Sequence, residues 1–332
     1  MIIEYNDLKH KLKSILIRND FTETNAELLS QILTDNTLVG VASHGVNRFS
    51  AIVSLVKSGH IIPNAEPVLV NSFGSWEQWD AQYGPGPLNA WRATERVIEL
   101  SRANGVGAVT LKNSNHWMRP GAFGWKAADA GHILICWTNA IPMMPPWESR
   151  EPKLGNNPIT LAVPRSKGNV VIDMALSQYS YGKLSTYRRA GKELEYPGGY
   201  DKEGNLTTDA AVIYEEHSVL PIGFWKGAGL AMLFDLIAAV LSGGRSTNEL
   251  GKDMIDTGMS QVFISFDPSK SYSGEAIDKI ADEVVDSVKS ASPANAEAEV
   301  SYPGERILKM KEKNLREGIT INDEIWGKIE SL

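Results

Sequence analysis

Residues 106–138 read VGAVTLKNSNHWMRPGAFGWKAADAGHILICWT, and this stretch decides the fold class. Apolar, β-branched residues at its two ends predict strands over 106–111 and 133–138. Between them, residues 112–116 are rich in hydrogen-bonding side chains and predict a loop, and residues 121–131 predict a helix. Strands that alternate with helices are typical of an α/β protein.

The same alternation continues on both sides of this stretch. Further strands are predicted over 159–163, 169–174 and 261–266, with a long helix over 226–241 between the last two. Helical spacing of apolar residues governs the first 60 residues and returns over 305–317 and 323–332. Thr24-Asn25-Ala26-Glu27 predicts a capping box at the start of the second helix.

These patterns predict two domains. Residues 1–70 and about 305–332 form a helical domain, and residues from about 71 to 304 form an α/β body. A smaller subdomain around 71–120 is a further division of that body. A chain of 332 residues is long enough for this organisation.

Composition and charge exclude several classes of function. The net charge of -7 argues against a nucleic-acid partner, which requires a basic surface. Cys136 is the only cysteine, so no internal disulfide can form and a reducing, cytoplasmic location is expected. The N-terminus does not resemble a signal peptide, and Asp235 interrupts the apolar run from Gly229 to Leu241, so no membrane span is expected.

Histidines are the first candidates for chemistry. None of the six forms a His-x-x-x-His pair and there is no second cysteine, so no metal site is predicted. His44 stands out within Ser43-His44-Gly45-Val46-Asn47-Arg48-Phe49, because small neighbours flank it at a predicted helix junction. If Ser43 caps a helix that starts near Val46, His44 and Arg48 project from one face.

That arrangement predicts a proton donor beside an anion-binding guanidinium. The positive end of a helix would disfavour the charged form of His44. His116, at the end of the donor-rich loop and before Arg119, is a second candidate that would face a ligand. For both histidines the alternative is a hydrogen-bond network that only braces a turn.

A nucleotide-binding motif of the usual kind is absent. Gly105-Val106-Gly107, Gly84-Pro85-Gly86 and Gly227-Ala228-Gly229 all lack the third glycine of Gly-x-Gly-x-x-Gly. No phosphate-binding loop of the ATPase type occurs either. A dinucleotide would therefore need another site, for which the strand over 169–174 and the helix start at 224–227 are candidates. Both also fit an ordinary buried strand and an ordinary helix start.

Tryptophans are dense between residues 71 and 150. Most fit the core of an α/β body, whereas Trp117 and Trp147 stand in segments that would suit stacking against a sugar. This leaves a binding protein for sugar acids, without a cofactor, as an alternative to an enzyme.

Six segments, in order along the chain, resemble one family. They are Ser43 to Phe49, Asn113-Ser114-Asn115-His116-Trp117, Cys136-Trp137-Thr138-Asn139, Asp173-Met174, Lys226-Gly227-Ala228-Gly229-Leu230 and Tyr302-Pro303-Gly304-Glu305. Together they resemble the type 2 malate/lactate dehydrogenase family of NAD(P)-dependent oxidoreductases that act on 2-hydroxy acids. The resemblance implies a mixed, non-Rossmann sheet, a homodimer and a small anionic keto-acid substrate.

The resemblance also implies roles for individual residues. His44 would be the catalytic proton donor. The substrate would be bound by Ser43, Arg48, His116, Thr138 and Asn139. The cofactor, NADH with NADPH as the alternative, would be bound by Gly168, Asn169, Val170, Val171, Ile172, Asp173, Met174, Phe224, Trp225, Gly304, Glu305 and Arg306. Asn156 and Leu176 depart from the family pattern and leave the exact keto acid open.

Overall fold

The computed structural model describes residues 1–332 as alternating helices and strands. The helices are α1 (Tyr5–Arg18), α2 (Glu23–Leu38), α3 (Phe49–Lys57), α4 (Gly86–Asn104), α5 (Gly121–Asp129), α6 (Tyr181–Ala190), α7 (Ala210–Glu216), α8 (Trp225–Ser242), α9 (Thr247–Leu250), α10 (Gly274–Lys289), α11 (Glu305–Glu317) and α12 (Asp323–Glu330). The strands are β1 (Ile2–Ile3), β2 (Val68–Phe73), β3 (Trp76–Asp80), β4 (Val106–Asn115), β5 (Ile133–Thr138), β6 (Ile159–Val163), β7 (Val170–Met174), β8 (Gly199–Tyr200), β9 (Leu206–Thr207), β10 (Thr257–Phe266) and β11 (Ile319–Thr320). Short 3-10 turns occupy Ala42–His44, Val46–Arg48 and Pro268–Lys270.

A mixed sheet of seven strands forms the centre, in the order β2-β3-β4-β10-β5-β6-β7. Only β3 and β4 run parallel, and every other neighbouring pair is antiparallel. A dinucleotide-binding Rossmann sheet is mostly parallel. The predicted mixed α/β class with a non-Rossmann sheet is therefore confirmed.

The strand directions bring several chain segments to one edge of the sheet. Thr257 pairs with Asn115, and Gln261 pairs with Thr138, so β10 begins where β4 and β5 end. Met174, at the end of β7, pairs with Ile159 at the start of β6. The ends of β4, β5 and β7 and the starts of β6 and β10 therefore share one edge.

Helices cover both faces of this sheet. Phe263 of β10 packs in the core cluster that includes the buried face of α4 and α5, whereas its neighbour Val262 packs in the cluster with α7 and α8. Successive side chains of a strand point to opposite faces. The body is thus a three-layer arrangement of helix, sheet and helix.

The N-terminal helices share a core of their own with the C-terminal tail. Ile319, Ile321 and Ile329 are buried in the cluster formed by the apolar faces of α1, α2 and α3. Strands β1 and β11 pair next to it, so the two ends of the chain are joined. The exact domain boundaries stay a prediction.

Some local details differ from the sequence analysis. Thr22, not Thr24, caps α2, and its side chain accepts from the Asn25 backbone N–H. The predicted capping box was therefore wrong. The loop over 112–116 is mostly strand, because β4 continues to Asn115 through its pairing with β10. Helices α6, α7, α9 and α10 were not predicted.

The apolar run that contains Asp235 belongs to α8, whose 18 residues are long and apolar enough to cross a membrane by length and composition alone. The apolar segment is thus longer than the run from Gly229 to Leu241, although the predicted helix over 226–241 matches α8 closely. Asp235 accepts from the Asn139 side chain at 2.9 Å and from the Thr247 backbone N–H at 2.8 Å. The charged group within the helix is thus satisfied by the protein itself.

Ile329→Ala tests the shared core of the two chain ends. Ile329 is fully buried, so we expect the free energy of unfolding to fall by roughly 2–4 kcal/mol. The matched control is Ile280→Ala on α10, where the side chain is 52% exposed and a loss within about 0.5 kcal/mol is expected. Urea unfolding of both variants measures this, and equal losses would contradict the shared core.

Candidate active site

A cavity of about 700 Å³ lies at the shared edge of the sheet, where the helical layer meets the body. The residues that line it come from segments far apart in sequence and include Ser43, His44, Arg48, His116, Arg119, Thr138, Asn156, Asp173, Ser180, Tyr181, Asp256 and Gly304. The volume is typical of a site for small molecules.

The segment that carries His44 does not form the predicted helix. Residues 42–44 and 46–48 are two separate 3-10 turns, and α3 begins only at Phe49 without a side-chain cap. Ser43 is therefore not an N-cap, and His44 and Arg48 are not neighbours on one α-helix. Both side chains nevertheless line the cavity, because the chain reverses at Gly45.

Gly45 is required by close packing at this reversal. A Cβ atom there would lie 2.4 Å from the Thr37 hydroxyl oxygen and 2.8 Å from the Leu33 carbonyl oxygen. The Thr37 hydroxyl also accepts from the Val46 backbone N–H at 3.0 Å. Helix α2 thus fixes the position of the turns that present His44 and Arg48.

The imidazole rings of His44 and His116 stack, with centroids 5.8 Å apart and an angle of 13° between the planes. The Nδ1 of His44 lies 3.2 Å from the Ser43 hydroxyl, which can either donate or accept. The Nδ1 of His116 accepts from the Met118 backbone N–H at 3.1 Å. The Nδ1 atoms of the two rings therefore meet different partners, a hydroxyl for His44 and a backbone N–H for His116.

His44 can hold a proton on either nitrogen or on both. Its charged form would donate Nδ1–H to Ser43, and its neutral form would accept from the same hydroxyl. Protonation of His116 at Nδ1 would instead set two donors against each other, because Met118 offers only an N–H. His44 is thus suited to gain and lose a proton, and His116 to donate from Nε2–H as a neutral ring.

The surroundings lower the pKa of both rings. Burial, followed by the charges of Arg48 and Arg119, lowers the pKa of His44 to about 4. Burial lowers the pKa of His116 well below its usual range, with smaller contributions from Arg48 and His44. The direction expected for His44 is as predicted, but its cause is burial and two guanidinium groups, not the start of a helix.

The charged side chains in the cavity differ in whether they form an ion pair. Arg48 forms an ion pair with Asp256 at 3.1 Å. Asp173 accepts from the Gly121 backbone N–H at 2.8 Å, and burial raises its carboxyl pKa despite the opposing charge of Arg119. Burial likewise lowers the pKa of the Arg119 guanidinium. Positive charge therefore lies close to His44 in a region poorly screened by water.

Thr138 and Asn139, both predicted to bind substrate, occupy different places. Thr138 lines the cavity, although its hydroxyl donates to the Ser260 carbonyl oxygen at 3.1 Å. Asn139 is fully buried, is absent from the lining, and bonds to Asp235, Ser260 and the Arg245 carbonyl. The structure thus gives Asn139 a supporting position behind the cavity wall.

The predicted cofactor segments are brought together only in part. Val171, Ile172 and Asp173 of β7 line the cavity beside Pro303 and Gly304, and the Val171 backbone N–H donates to the Pro303 carbonyl at 3.0 Å. Asn169 is engaged elsewhere, with Asp129 at 2.6 Å and the Arg165 backbone N–H at 3.1 Å. Gly168, Val170, Met174, Glu305 and Arg306 do not line the cavity.

The start of α11 fits a phosphate group. Gly304 has a φ of 104°, and a Cβ atom there would lie 3.1 Å from the Asn169 carbonyl oxygen. No side chain caps this helix, and neither the Gly304 nor the Arg306 backbone N–H has a hydrogen-bond partner in the chain. Free N–H groups at a helix start that opens on a cavity are suited to a dinucleotide diphosphate.

Phe224 and Trp225 lie outside the cavity. They are 49% and 66% exposed, and Phe224 packs against Trp147 with ring centroids 4.8 Å apart. Trp117 also does not have the role considered for a sugar-stacking residue, because it is 1% exposed and packs in the core against Phe123 and Phe263.

Several polar cavity residues were not among the predicted site residues, and Arg119, Tyr181 and Asp256 are three of them. Arg119 had a visible signal, because it follows His116 by three positions in a segment already singled out. Tyr181 and Asp256 reach the cavity only through the packing of α6 and the start of β10, which no local pattern indicates.

Comparisons with known proteins match this chain over nearly its full length. The sequence profile of a family described as malate/L-lactate dehydrogenase matches residues 3–330. The chain is 40% identical over 333 aligned residues to 2,3-diketo-L-gulonate reductases of Citrobacter koseri and Haemophilus influenzae, with 100% of each chain covered. The structure of sulfolactate dehydrogenase from Methanocaldococcus jannaschii is similar with a TM-score of 0.90 and 27% identity, covering 100% of this chain and 96% of that one.

Titration of His44 tests the electrostatics of the cavity. In the free protein we expect its ring to titrate near pH 4. A carboxylate held near Arg48 would offset the positive charge, so saturation with oxamate should raise that pKa, and oxamate should bind more tightly as pH falls. Ring resonances followed by NMR measure both effects, with His44→Asn identifying the signal. An ordinary pKa that oxamate leaves unchanged would contradict this electrostatic picture.

Proposed function

This chain belongs to the malate/L-lactate dehydrogenase family, and we propose that it is an NADH-dependent reductase of 2-keto sugar acids, with 2,3-diketo-L-gulonate as substrate and 3-keto-L-gulonate as product. One observation carries the proposal. A single cavity joins an imidazole suited to proton exchange, two guanidinium groups and the uncapped start of α11. The names of the curated relatives favour this keto acid over others.

The residues divide the work between proton transfer and orientation. A bound reduced nicotinamide would supply a hydride to the carbonyl carbon beside the substrate carboxylate. His44 gives its proton to the oxygen of that carbonyl. The Ser43 hydroxyl can stay hydrogen-bonded to Nδ1 before and after this transfer, because a hydroxyl can donate or accept. His116, held neutral, donates Nε2–H to a substrate oxygen. Arg48 binds the carboxylate.

Binding of the substrate prepares His44 for this step. In the free protein the imidazole is neutral at physiological pH, because its pKa is lowered to about 4. The carboxylate of the substrate offsets nearby positive charge, which raises the pKa and allows His44 to enter the reaction protonated. The acid is thus charged mainly when there is an anion to reduce.

The cofactor proposal depends on β7 and α11. Val171, Ile172 and Asp173 form one wall, and Gly304 with the free N–H groups of α11 forms the phosphate end. We extend the proposal to the other predicted cofactor residues, Gly168, Asn169, Val170, Met174, Phe224, Trp225, Glu305 and Arg306. NADPH is the alternative cofactor, since no acidic group of the Rossmann type is present to favour the ribose of NADH.

A panel of keto acids tests the substrate. We expect the highest kcat/KM for 2,3-diketo-L-gulonate with NADH, below which pyruvate, oxaloacetate and a cyclic imine acid should fall. His44→Asn should lower kcat by about 10²–10⁴-fold while NADH binding is retained, because positioned proton transfer contributes that much to rate. Oxidation of NADH or NADPH, followed by absorbance, measures both.

The control for this variant is His10→Asn on the exposed side of α1, which should leave kcat unchanged. Retention of normal turnover in His44→Asn would falsify the proton-donor role. Higher activity on another keto acid would identify that acid as the substrate and would leave the proposed type of reaction unchanged. If NADH neither binds nor quenches tryptophan fluorescence, the alternative of a binding protein without a cofactor replaces the enzyme.

We also propose that the chain acts as a cytoplasmic homodimer through α8. This helix exposes a continuous set of apolar side chains: Leu230, Met232, Leu233, Leu236, Ile237 and Val240, with Phe224 and Trp225 at its start. Exposed apolar patches of this extent mark interaction surfaces. A second copy suits the patch better than lipid, because α8 packs along β10, β4 and β5 and includes Asp235 bonded to the body.

Val240→Asp tests the dimer. Val240 is the most exposed side chain of the patch at 74%, and a carboxylate buried against a second copy would be unpaired, so we expect dissociation into chains of 36.4 kDa. The matched control is Val284→Asp on α10, which is 61% exposed and should stay dimeric. Sedimentation velocity measures the mass. If only Val284→Asp dissociates the dimer, the interface lies on α10 and not on α8. If the unchanged protein is monomeric, the proposal of a dimer is wrong.

A further inference from the structure

Arg119 is a buried cation that the protein does not pair. Its side chain lies at the end of the segment that follows β4, is 6% exposed, and forms no hydrogen bond or ion pair with the chain. Arg165 is buried to a similar degree at 9% exposed, yet it bonds to Asp282 at 2.6 Å. Burial by itself therefore does not explain why Arg119 lacks an ion-pair partner.

The surroundings of Arg119 add positive potential. Its Nη2 would lie 3.2 Å from a Cβ atom placed on Gly121, so the guanidinium rests against the first residue of α5. The positive end of a helix disfavours a cation. Asp173 is the facing carboxylate, but it forms no ion pair with Arg119 and accepts instead from the Gly121 N–H. A buried charge of this kind is costly unless an anion arrives.

The other guanidinium of the cavity is already partnered. Arg48 and Asp256 lie 3.1 Å apart, so an incoming carboxylate must share Arg48 with Asp256. Arg119 forms no ion pair of this kind, because Asp173 faces it but accepts from the Gly121 N–H, and Arg119 lines the same cavity as His44. Of the two groups, Arg119 is therefore the one that has no ion pair in the free protein.

We propose that Arg119 is a substrate-binding residue that holds the carboxylate of the 2-keto acid, together with Arg48, beside the proton donor His44. This rests on the proposed function and adds to it a residue that decides affinity for anionic substrates. A guanidinium binds a carboxylate through two parallel hydrogen bonds, which fixes its orientation as well as its position.

The consequence for His44 follows from charge. His44 is faced by Arg48, Arg119 and the neutral ring of His116, and both arginines lower its pKa. A carboxylate seated on Arg119 cancels part of that effect. Occupation of Arg119 therefore contributes to the protonation of the acid that acts on the same substrate.

Arg119→Gln tests the assignment in the full-length protein. We expect KM for 2,3-diketo-L-gulonate to rise about 10–100-fold, since a charge-assisted bidentate contact is lost, while the Kd for NADH by fluorescence changes less than about twofold. The His44 ring should titrate at higher pH in the free variant, because one neighbouring cation is gone. Arg119→Ala should regain activity when guanidinium is added.

Arg92→Gln is the matched control, because Arg92 of α4 pairs with Glu66, does not line the cavity and should leave KM unchanged. A weakened Kd for NADH with an unchanged KM for the keto acid would overturn the proposal and assign Arg119 to the cofactor phosphates. A loss of thermal stability without a shift of KM or of the His44 titration would reduce it to a structural residue. His44→Asn separates these outcomes from failure of the proposed function, since it should lower kcat by about 10²–10⁴-fold whatever Arg119 binds.

Discussion

The pairing of β10 with both β4 and β5 is the constraint on which the rest of the structure depends. β10 is antiparallel to each of them, so β4 and β5 must end at the same edge of the sheet, where β10 begins. His116 follows β4, Thr138 ends β5 and Asp256 precedes β10. Three segments more than 20 residues apart in sequence are thereby brought to one cavity. β7 ends at the same edge because β6 reverses the direction once more.

The helical layer completes the cavity from outside the sheet. Its own core joins both ends of the chain and also includes Leu88 and Met118 of the body, so the turns that carry His44 and Arg48 rest on a helical layer packed beside the sheet. Close packing of Gly45 against α2 fixes these turns. The side chains on these turns therefore face side chains on the edge of the sheet. Placing a site between packed, rigid elements is a usual way of positioning its side chains precisely.

Burial and charge together explain the chemistry of the cavity. Two guanidinium groups and little water favour anions, and the same features disfavour a charged imidazole. In the proposed mechanism the substrate carboxylate would resolve this conflict, because it would stabilise the charged forms of all three groups. Partners of the Nδ1 atoms then divide the histidines: a hydroxyl beside His44 permits proton exchange, whereas a backbone N–H beside His116 keeps that ring neutral.

Local sequence patterns predicted most of the central strands and the candidate chemistry, whereas the way these segments meet depends on long-range packing. Periodicity located β5 and β6 and the long helix α8, because burial of an apolar face imposes a regular pattern on neighbouring residues. It could not determine that residues 42–48 form two 3-10 turns, since Gly45 is placed there by its contact with α2. Asn139 looked like a ligand residue, but its three partners come from α8, from the segment after α8 and from β10. Arg119 was visible as a residue near His116, whereas its lack of a partner depends on which side chains surround it in space. Long-range packing leaves no mark on a local pattern, and for this protein it decided which polar side chains are satisfied internally and which remain free for a ligand.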